Sequence, residues 1–248
     1  MISVTVLTKN VEKMLAETLS SLSLFPEVLV IDTGSTDHTL EIARAFANVK
    51  VIEETFMGFG PLHNKAALLA THDWVLSIDS DEVLSKELVQ EILHTKLDPD
   101  VVYAIERDNY FNGKRIKCCS GWYPDSVARL YHRGSSSFTN DIIHEKIKTK
   151  GLAVKKLQGK LKHTPYPTIE MFLAKMQMYS TLFVEQNKHR KKIFFITVVV
   201  YGFFSFFRSY ILKRGILGGK EGFIISLYNG HTTYYKYLKL YFSTLRKR

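Results

Sequence analysis

The first 80 residues alternate between short apolar runs and helical patterns, and this alternation restricts the fold more than any other feature. The apolar runs predict strands at residues 2–8, 28–31, 49–52 and 74–78. Helical patterns separate the runs, at residues 11–22, 38–47 and 61–70. Because the connections are short, the pattern predicts an α/β fold with a mostly parallel, doubly wound sheet.

Three acids follow the fourth predicted strand directly: Asp79, Asp81 and Glu82. Open α/β sheets bind ligands at the carboxyl ends of their strands, and alternate side chains of an extended segment share a face. Two carboxylates that face one another favour a divalent cation such as Mg²⁺ or Mn²⁺ between them, and such an ion can bridge diphosphate oxygens. The alternative is a solvated turn whose acids cap a helix predicted over residues 85–94.

The charge of the chain is divided unevenly along its 248 residues. Residues 1–150 carry 16 Lys/Arg and 21 Asp/Glu, a net charge of −5, whereas residues 151–248 carry 18 and 3, a net charge of +15. An acidic first part suits a metal-assisted site. The basic remainder suits an anionic surface, either lipid headgroups or nucleic acid.

The pattern changes after residue 100. Strands are predicted at residues 101–111, 114–118, 127–132 and 143–147, and helices from residue 168 onward. We therefore expect a catalytic domain over residues 1–165 and a helical, basic and aromatic region over residues 166–248. The adjacent Cys118 and Cys119 lack metal-binding spacing and favour a reducing compartment, and no secretion leader is expected.

An apolar stretch of fifteen residues, 193–207, has basic residues on both sides. As a helix it would extend about 22 Å at roughly 1.5 Å per residue, which is less than the roughly 30 Å of a bilayer's hydrocarbon core. The stretch therefore favours contact with one leaflet of a membrane. A buried core helix and a true membrane span are the alternatives.

Three motifs occur in a fixed order: Thr8-Lys9-Asn10, Asp32-x-Gly34-Ser35-x-Asp37 and Asp79-Ser80-Asp81-Glu82. This set resembles the family 2 glycosyltransferases of the GT-A fold. Within that family it is similar to bacterial enzymes of the lipopolysaccharide inner core, the β-1,4-glucosyltransferases. The resemblance covers nearly the whole chain and is more specific in the N-terminal half.

The resemblance implies an inverting transfer of a hexose, glucose above all, from a UDP-sugar such as UDP-glucose. The expected acceptor is a lipid-linked saccharide, the lipopolysaccharide inner core or another lipid or polysaccharide. The expected cofactor is Mg²⁺ or Mn²⁺. The expected location is the cytoplasmic face of the bacterial inner membrane, where the protein would contact an anionic membrane surface as a peripheral or monotopic protein.

The resemblance also implies roles for residues at the strand ends. Thr8 and Asn10 are expected to line the nucleotide pocket. Asp32 is expected to accept hydrogen bonds from the base, or alternatively to cap the following helix. Asp79 is expected to contact the ribose or the metal, and Asp81 to bind the metal directly.

Three basic side chains are further candidates, each with a structural alternative. Lys65 would reach the diphosphate or the donor sugar, unless it is only solvated. Arg129 would hold phosphate through its planar fork, or pair with Asp125. His163 would supply a further contact to the metal or phosphate, although a single histidine is more often structural.

Inverting transfer needs a base on the face opposite the leaving diphosphate. The segment Asn140-Asp141-Ile142-Ile143-His144-Glu145 corresponds to the region of the catalytic acid in the family that the chain resembles. We expect Glu145 to be the base, with Asp141 as second candidate. The alternative is an ordinary surface strand with alternating acids.

Other classes of protein would also fit parts of this sequence. A basic nucleic-acid-binding protein would account for the charge, but no recognised nucleic-acid motif appears, and nucleic acid is not an expected partner. A membrane scaffold with a degenerate site would not need the two acids Asp79 and Asp81. A nucleotidyltransferase would use a similar metal but release pyrophosphate instead of UDP.

Overall fold

A computed structural model describes residues 1–166, 168–187 and 193–245. The chain packs as two compact units. The first comprises Met1–Asp108 with Ser126–His163, and the second comprises Asn109–Asp125 with Thr164–Arg248. The segment Asn109–Asp125, which the sequence placed within the domain 1–165, therefore packs with the second unit.

Strands and helices alternate in the first part of the chain, as predicted. The strands are β1 Ile2–Thr8, β2 Glu27–Asp32, β3 Val49–Glu53, β4 Trp74–Asp79, β5 Glu82–Leu84, β6 Val101–Phe111, β7 Lys114–Arg115, β8 Ser126–His132 and β9 Ala153–His163. The helices are α1 Glu12–Ser21, α2 Thr39–Arg44, α3 Phe59–Leu69, α4 Lys86–His94, α5 Ile169–Asn187, α6 Phe195–Phe207 and α7 Gly219–Leu245.

The strands form a mixed sheet in the order β3-β2-β1-β4-β8-β6-β9-β5, with β7 paired to β6. The first four strands are parallel, and the strands that follow pair antiparallel. The prediction of a mostly parallel sheet therefore holds for the first four strands only. Parallel neighbours need a crossover, usually a helix, and such helices join only the early strands.

The core of the first unit lies on both faces of the parallel strands. Because α1 and its neighbours cover these strands, β1, β2 and β4 are almost continuously buried, and most of their residues are apolar. Leu15 and Leu19 share one side of α1 and are fully buried, as their spacing of four residues predicts. The helix α4 begins at Lys86 because the Ser85 hydroxyl accepts a hydrogen bond of 3.1 Å from the Leu88 amide.

The second unit is mainly helical, as predicted, with a small aromatic core. This core contains Phe111, Ile116, Cys118, Cys119, Trp122, Phe172 and Ile225. The helices α6 and α7 pack closely where glycines face each other. A Cβ on Gly202 would lie 2.9 Å from the Cβ of Tyr234, and one on Gly230 would lie 3.0 Å from the Cβ of Phe206.

Three details differ from the predicted strands. Residues 143–147 are not a strand, because His144 has a φ of 64° and only an isolated bridge joins Phe138 to Ile147. The return after the Asn112-Gly113 turn is limited to Lys114–Arg115. The sequence also failed to predict β5 and β9. In β9 the buried Leu157 and Leu161 lie on one face, but the many lysines of the strand hide this alternation of buried and exposed residues.

The apolar stretch after residue 193 forms α6 and a π-helical turn, Arg208–Leu212. In the described part of the chain, Phe195–Leu212 is the only helical segment that is long and apolar enough to cross a membrane by length and composition, which alone is weak evidence. Only 17% of this segment is buried, which disfavours the alternative of a core helix. The basic run 188–192 lies outside the described residues.

Candidate active site

Polar side chains of the first unit gather at the carboxyl ends of its parallel strands. The register places Thr8 beside Asp32 and Leu7 beside Asp79. Thr8 ends β1, Asp32 ends β2 and Asp79 ends β4. Thr8, Asp32 and Asp79 therefore lie together at the edge of the sheet where the sequence predicts the site.

A cluster of two acids and two arginines occupies the end of β4. Arg129 contacts Asp79, and its Nη2 lies 2.6 Å from Oε1 of Glu82. Arg107 Nη1 lies 3.3 Å from the same Glu82 oxygen and 3.8 Å from Oδ2 of Asp79. The Asp79 amide donates a hydrogen bond of 3.0 Å to Oε2 of Glu82. We call these four residues the β4 ion cluster.

Burial and charge act in opposite directions on the acids of the β4 ion cluster. Burial opposes ionisation of Asp79, but the charges of Arg129 and Arg107 outweigh it and hold the pKa of Asp79 well below its usual range. Glu82 is fully buried, and this burial raises its pKa, with the Asp79 charge adding to the effect and Arg129 opposing it. Arg129 engages these carboxylates, and its predicted phosphate contact stays a prediction.

Asp81 lies in the turn between β4 and β5, so it does not continue the extended segment that the sequence argument assumed. Its Oδ1 is 3.5 Å from Nε2 of His163, and the two side chains are 11% and 12% exposed. The β5–β9 register explains this contact, because it pairs Glu82 with His163.

The donor atoms of Asp81 and His163 fit a divalent ion that shares its coordination with a nucleotide. Magnesium commonly takes one or two carboxylates and fills its shell with phosphate oxygens and water, and Mn²⁺ accepts imidazole and carboxylate. Among the described residues, no group of three or more His, Cys, Asp or Glu is arranged to hold a metal. Asp79, the other predicted ligand, is engaged by Arg129 in this structure.

Asp32 organises the turn after β2. Its Oδ1 accepts hydrogen bonds from the hydroxyls of Thr8 and Ser35, and its Oδ2 accepts from the amides of Gly34 and Ser35. A carboxylate has about four acceptor sites, so these four donors use its capacity. Because Asp32 is also 1% exposed, the geometry favours the turn alternative, and the contact with the base stays a prediction.

Asn10 and Lys65 lie nearer the surface. The backbone amide of Asn10 donates to the Ser35 hydroxyl at 2.8 Å, and the side-chain oxygen of Asn10 accepts from the backbone amide of Thr36 at 2.8 Å. Lys65 forms an ion pair with Glu54, just after β3. Both predicted nucleotide contacts stay predictions, and both side chains are exposed enough to reach a ligand.

The start of α3 anchors the loop that carries Asp141 and Glu145. Asn64 donates to the Phe138 carbonyl at 3.1 Å and accepts from the Phe138 amide at 2.8 Å. The Gly60 amide donates to the Asp141 carbonyl at 3.1 Å. A Cβ on Gly60 would lie 2.0 Å from the Thr139 carbonyl oxygen, so the close approach requires glycine at this position.

Glu145 and Asp141 have different surroundings on this loop. Glu145 is 21% exposed, and its Oε1 lies 3.9 Å from Nε2 of His63. Burial raises the pKa of Glu145, with the charges of Asp79 and Asp141 adding to the effect and Arg129 opposing it. Asp141 is exposed. A carboxylate with a raised pKa takes up a proton more readily, so Glu145 is the better-placed base of the two.

Sequence reasoning missed two side chains of this site. His63 is 3% exposed on α3, where its apolar neighbours gave no reason to single it out. Arg107 lies within the long strand β6 and reaches the β4 ion cluster. Arg107 lies in a polar run of this strand, Glu106-Arg107-Asp108-Asn109, which also fits a solvated face and so gave no distinct signal.

A charged site at the ends of the parallel strands lies where open α/β sheets bind their ligands. Residues 3–118 match the sequence model of the family described as "Glycosyl transferase family 2". The family match and the mixed sheet with its helical C-terminal region confirm the predicted GT-A fold class.

The relatives of the chain include glycosyltransferases over nearly its full length. A protein of Rickettsia conorii named an uncharacterized glycosyltransferase is 27% identical, over 100% of this chain and 92% of that protein. The lipopolysaccharide core biosynthesis glycosyltransferase LpsC of Rhizobium meliloti is 26% identical, over 88% of this chain and 85% of LpsC. The crystal structure of S. aureus TarS 1-349 in complex with UDP-GlcNAc is 18% identical, with 100% and 92% of the two chains covered and a TM-score of 0.48.

Proposed function

We propose that the chain is a family 2 glycosyltransferase that moves a hexose, glucose above all, from a UDP-sugar to a lipid-linked saccharide with inversion at the anomeric carbon. The observation that carries the proposal is the position of Glu145. It is a partly buried carboxylate with a raised pKa, and it lies close enough to Asp79 and Arg129, near the strand ends, for their charges to act on it.

The reaction is a single displacement. The acceptor hydroxyl gives its proton to the Glu145 carboxylate as its oxygen forms a bond to the anomeric carbon. The bond between that carbon and the diphosphate oxygen breaks, and its electron pair leaves with UDP. Asp141 is the alternative base, and its exposed position argues for the secondary role.

The nucleotide binds along the strand ends in this proposal. Thr8 and Asn10 line the pocket for the base, Asp32 shapes the turn that borders this pocket, and Asp79 contacts the ribose. Lys65 leaves its ion pair with Glu54 and donates charge-assisted hydrogen bonds to the diphosphate instead. Arg129 contributes positive charge through the β4 ion cluster, whether or not it contacts a phosphate directly.

Asp81 and His163 hold the Mg²⁺ or Mn²⁺ in this proposal. The ion neutralises charge on the departing diphosphate when it is bound. The two side chains are fixed by neighbouring strands, and each is only partly exposed, which favours a defined site over a solvated pair.

The variant Asp81→Ala is expected to weaken UDP binding at least about tenfold in Mn²⁺ and to leave it unchanged in EDTA, since loss of a single metal-site contact commonly costs 10–100-fold. Calorimetric titration of UDP with and without the ion measures the difference. Asp73→Ala is the matched control, because Asp73 is an exposed acid that precedes β4. Equal Mn²⁺ dependence in wild type and Asp81→Ala would remove Asp81 from the metal site.

The second unit supports an acceptor at a membrane. Large apolar side chains stay exposed on it, including Phe203 (69%) and Leu217 (77%). Exposed apolar side chains in such number favour an interaction site, and the excess of Lys and Arg suits anionic lipid headgroups. We therefore place the protein at the cytoplasmic face of the bacterial inner membrane, as a peripheral or monotopic protein. The similarity to LpsC favours the lipopolysaccharide inner core as acceptor.

The double variant Phe203→Ser/Leu217→Ser is expected to bind vesicles of phosphatidylethanolamine and phosphatidylglycerol at least about tenfold more weakly than wild type, because each buried side chain of this size contributes roughly 1.5–3 kcal/mol. Cosedimentation measures the binding. Leu68→Ser is the control, since Leu68 of α3 is equally exposed (79%) but belongs to the first unit. Equal binding by all three proteins would rule out this surface as the docking site.

The reaction itself is tested with purified protein, Mn²⁺ and a panel of nucleotide sugars. Slow hydrolysis that releases UDP from one donor, and faster release with a lipid-linked saccharide, is the expected result. Release of pyrophosphate from a nucleoside triphosphate would favour a nucleotidyltransferase. Salt-dependent binding to DNA, without UDP release from any donor, would favour a nucleic-acid-binding protein.

A further inference from the structure

A buried histidine lies between the sheet and Glu145. His63 belongs to α3, and its ring stacks on Phe138 with 4.3 Å between the ring centroids and 15° between the planes. Its Nδ1 lies 3.1 Å from the hydroxyl of Ser77, which is fully buried on β4. Its Nε2 is the atom nearest to Glu145, 3.9 Å from Oε1. The three side chains thus form a line from the sheet to the loop.

The ring of His63 is neutral at physiological pH. Burial lowers its pKa to about 4, and the nearby charges of Asp79 and Arg129 oppose each other. A neutral imidazole carries one proton, on one of its two nitrogens. An ionised Glu145 only accepts hydrogen bonds, so the arrangement that satisfies both partners has the proton on Nε2, with Nδ1 accepting from the Ser77 hydroxyl.

We propose that His63 is a positioning residue for the transfer reaction, because its Nε2–H orients the Glu145 carboxylate toward the acceptor hydroxyl while Ser77 fixes the tautomer. This inference rests on the proposed function and adds a residue to it. The separation of 3.9 Å is about 1 Å longer than an N–H···O hydrogen bond, and catalytic hydrogen bonds are often long before substrate is bound. Rotation of the Glu145 side chain closes the gap.

The inference has a consequence for the pH dependence of the reaction. Charged groups that act on Glu145 are Asp79 of β4, Arg129 of β8 and Asp141 of its own loop, while His63 of α3 faces it as a neutral donor. Loss of that donor disfavours the carboxylate and raises its pKa further. The acidic limb of the rate profile, below which the base is protonated, then moves to higher pH.

Two amide substitutions separate positioning from packing. In His63→Gln the side-chain amide can occupy the position of Nε2 and still donate to Glu145, whereas in His63→Asn it occupies that of Nδ1 and donates only toward Ser77. We expect kcat to stay within about fivefold of wild type for His63→Gln and to fall roughly 10–100-fold for His63→Asn and His63→Leu, as for other residues that orient a reacting group. KM for the donor is expected to change less than threefold, and the acidic limb to move up only in His63→Asn and His63→Leu.

Equal kcat values for His63→Gln and His63→Asn, or an acidic limb that does not move, would overturn the inference. If the His63 variants do not fold, Ser77→Ala keeps the imidazole ring but removes the hydroxyl that fixes its tautomer. An unchanged pH–rate profile in Ser77→Ala would also overturn the inference. Glu145→Gln in the same assay separates this result from the proposed function. If Glu145→Gln is active, Glu145 is not the base and the proposed function fails. If Glu145→Gln is inactive while the His63 variants are fully active, only the role of His63 is refuted.

Discussion

The variant Glu145→Gln is expected to lower kcat for sugar transfer about a thousandfold, within the range of roughly 10²–10⁴ that a positioned base contributes. Glutamine keeps the size of the side chain but cannot take the proton of the acceptor hydroxyl. Because the carboxylate acts on the acceptor and not on the nucleotide, the affinity for UDP should stay within about twofold of wild type. Initial rates of transfer and calorimetric titration of UDP measure the two quantities.

Asp141→Asn is the matched control, since Asp141 lies on the same loop but is exposed. We expect it to retain at least about a third of the wild-type kcat. A thousandfold loss in Asp141→Asn with an active Glu145→Gln protein would exchange the two roles. Equal large losses in both variants, together with weaker UDP binding, would indicate that the loop is displaced, because the Asp141 backbone is tied to Gly60.

The position of the site was predictable from the sequence because it depends on local patterns. Short apolar runs separated by helical patterns predict the strands β1 to β4, and the ends of parallel strands meet at one edge of the sheet. Asp79 and Asp81 follow from this order alone. The partners of these acids did not follow, since Arg107 and Arg129 come from β6 and β8, which join the sheet through antiparallel pairing that no local pattern specifies.

The loop with Glu145 shows a second limit of sequence patterns. The segment 143–147, with an isoleucine at each end, is predicted to be a strand, but the left-handed backbone of His144 prevents one. What shapes this loop is its hydrogen bonding to Asn64 and Gly60 of α3, about 75–80 residues earlier in the chain. His63 became a candidate only through its contacts in space with Ser77 and Glu145.

The variant Arg129→Met is expected to lower the free energy of unfolding by about 3–5 kcal/mol, because it removes the nearer of the two countercharges of the buried Glu82 and leaves only Arg107, at 3.3 Å. Arg129 is 6% exposed, and Glu82, which it contacts at 2.6 Å, is fully buried. Methionine fills much of the same volume, so lost packing contributes little. Urea unfolding followed by circular dichroism measures the change.

The control for this variant is Arg44→Met. Arg44 pairs with Glu53 at 2.9 Å, but both side chains are more than half exposed, and such surface pairs contribute only about 0–1 kcal/mol. Glu82→Gln combined with Arg129→Met should cost less than the sum of the two single variants, since the second change removes the charge that the first leaves unpaired. A loss below about 1 kcal/mol in Arg129→Met, or strict additivity in the pair, would show that the β4 ion cluster is hydrated rather than buried. The arginines would then be free to bind phosphate instead of holding Asp79 and Glu82 in place.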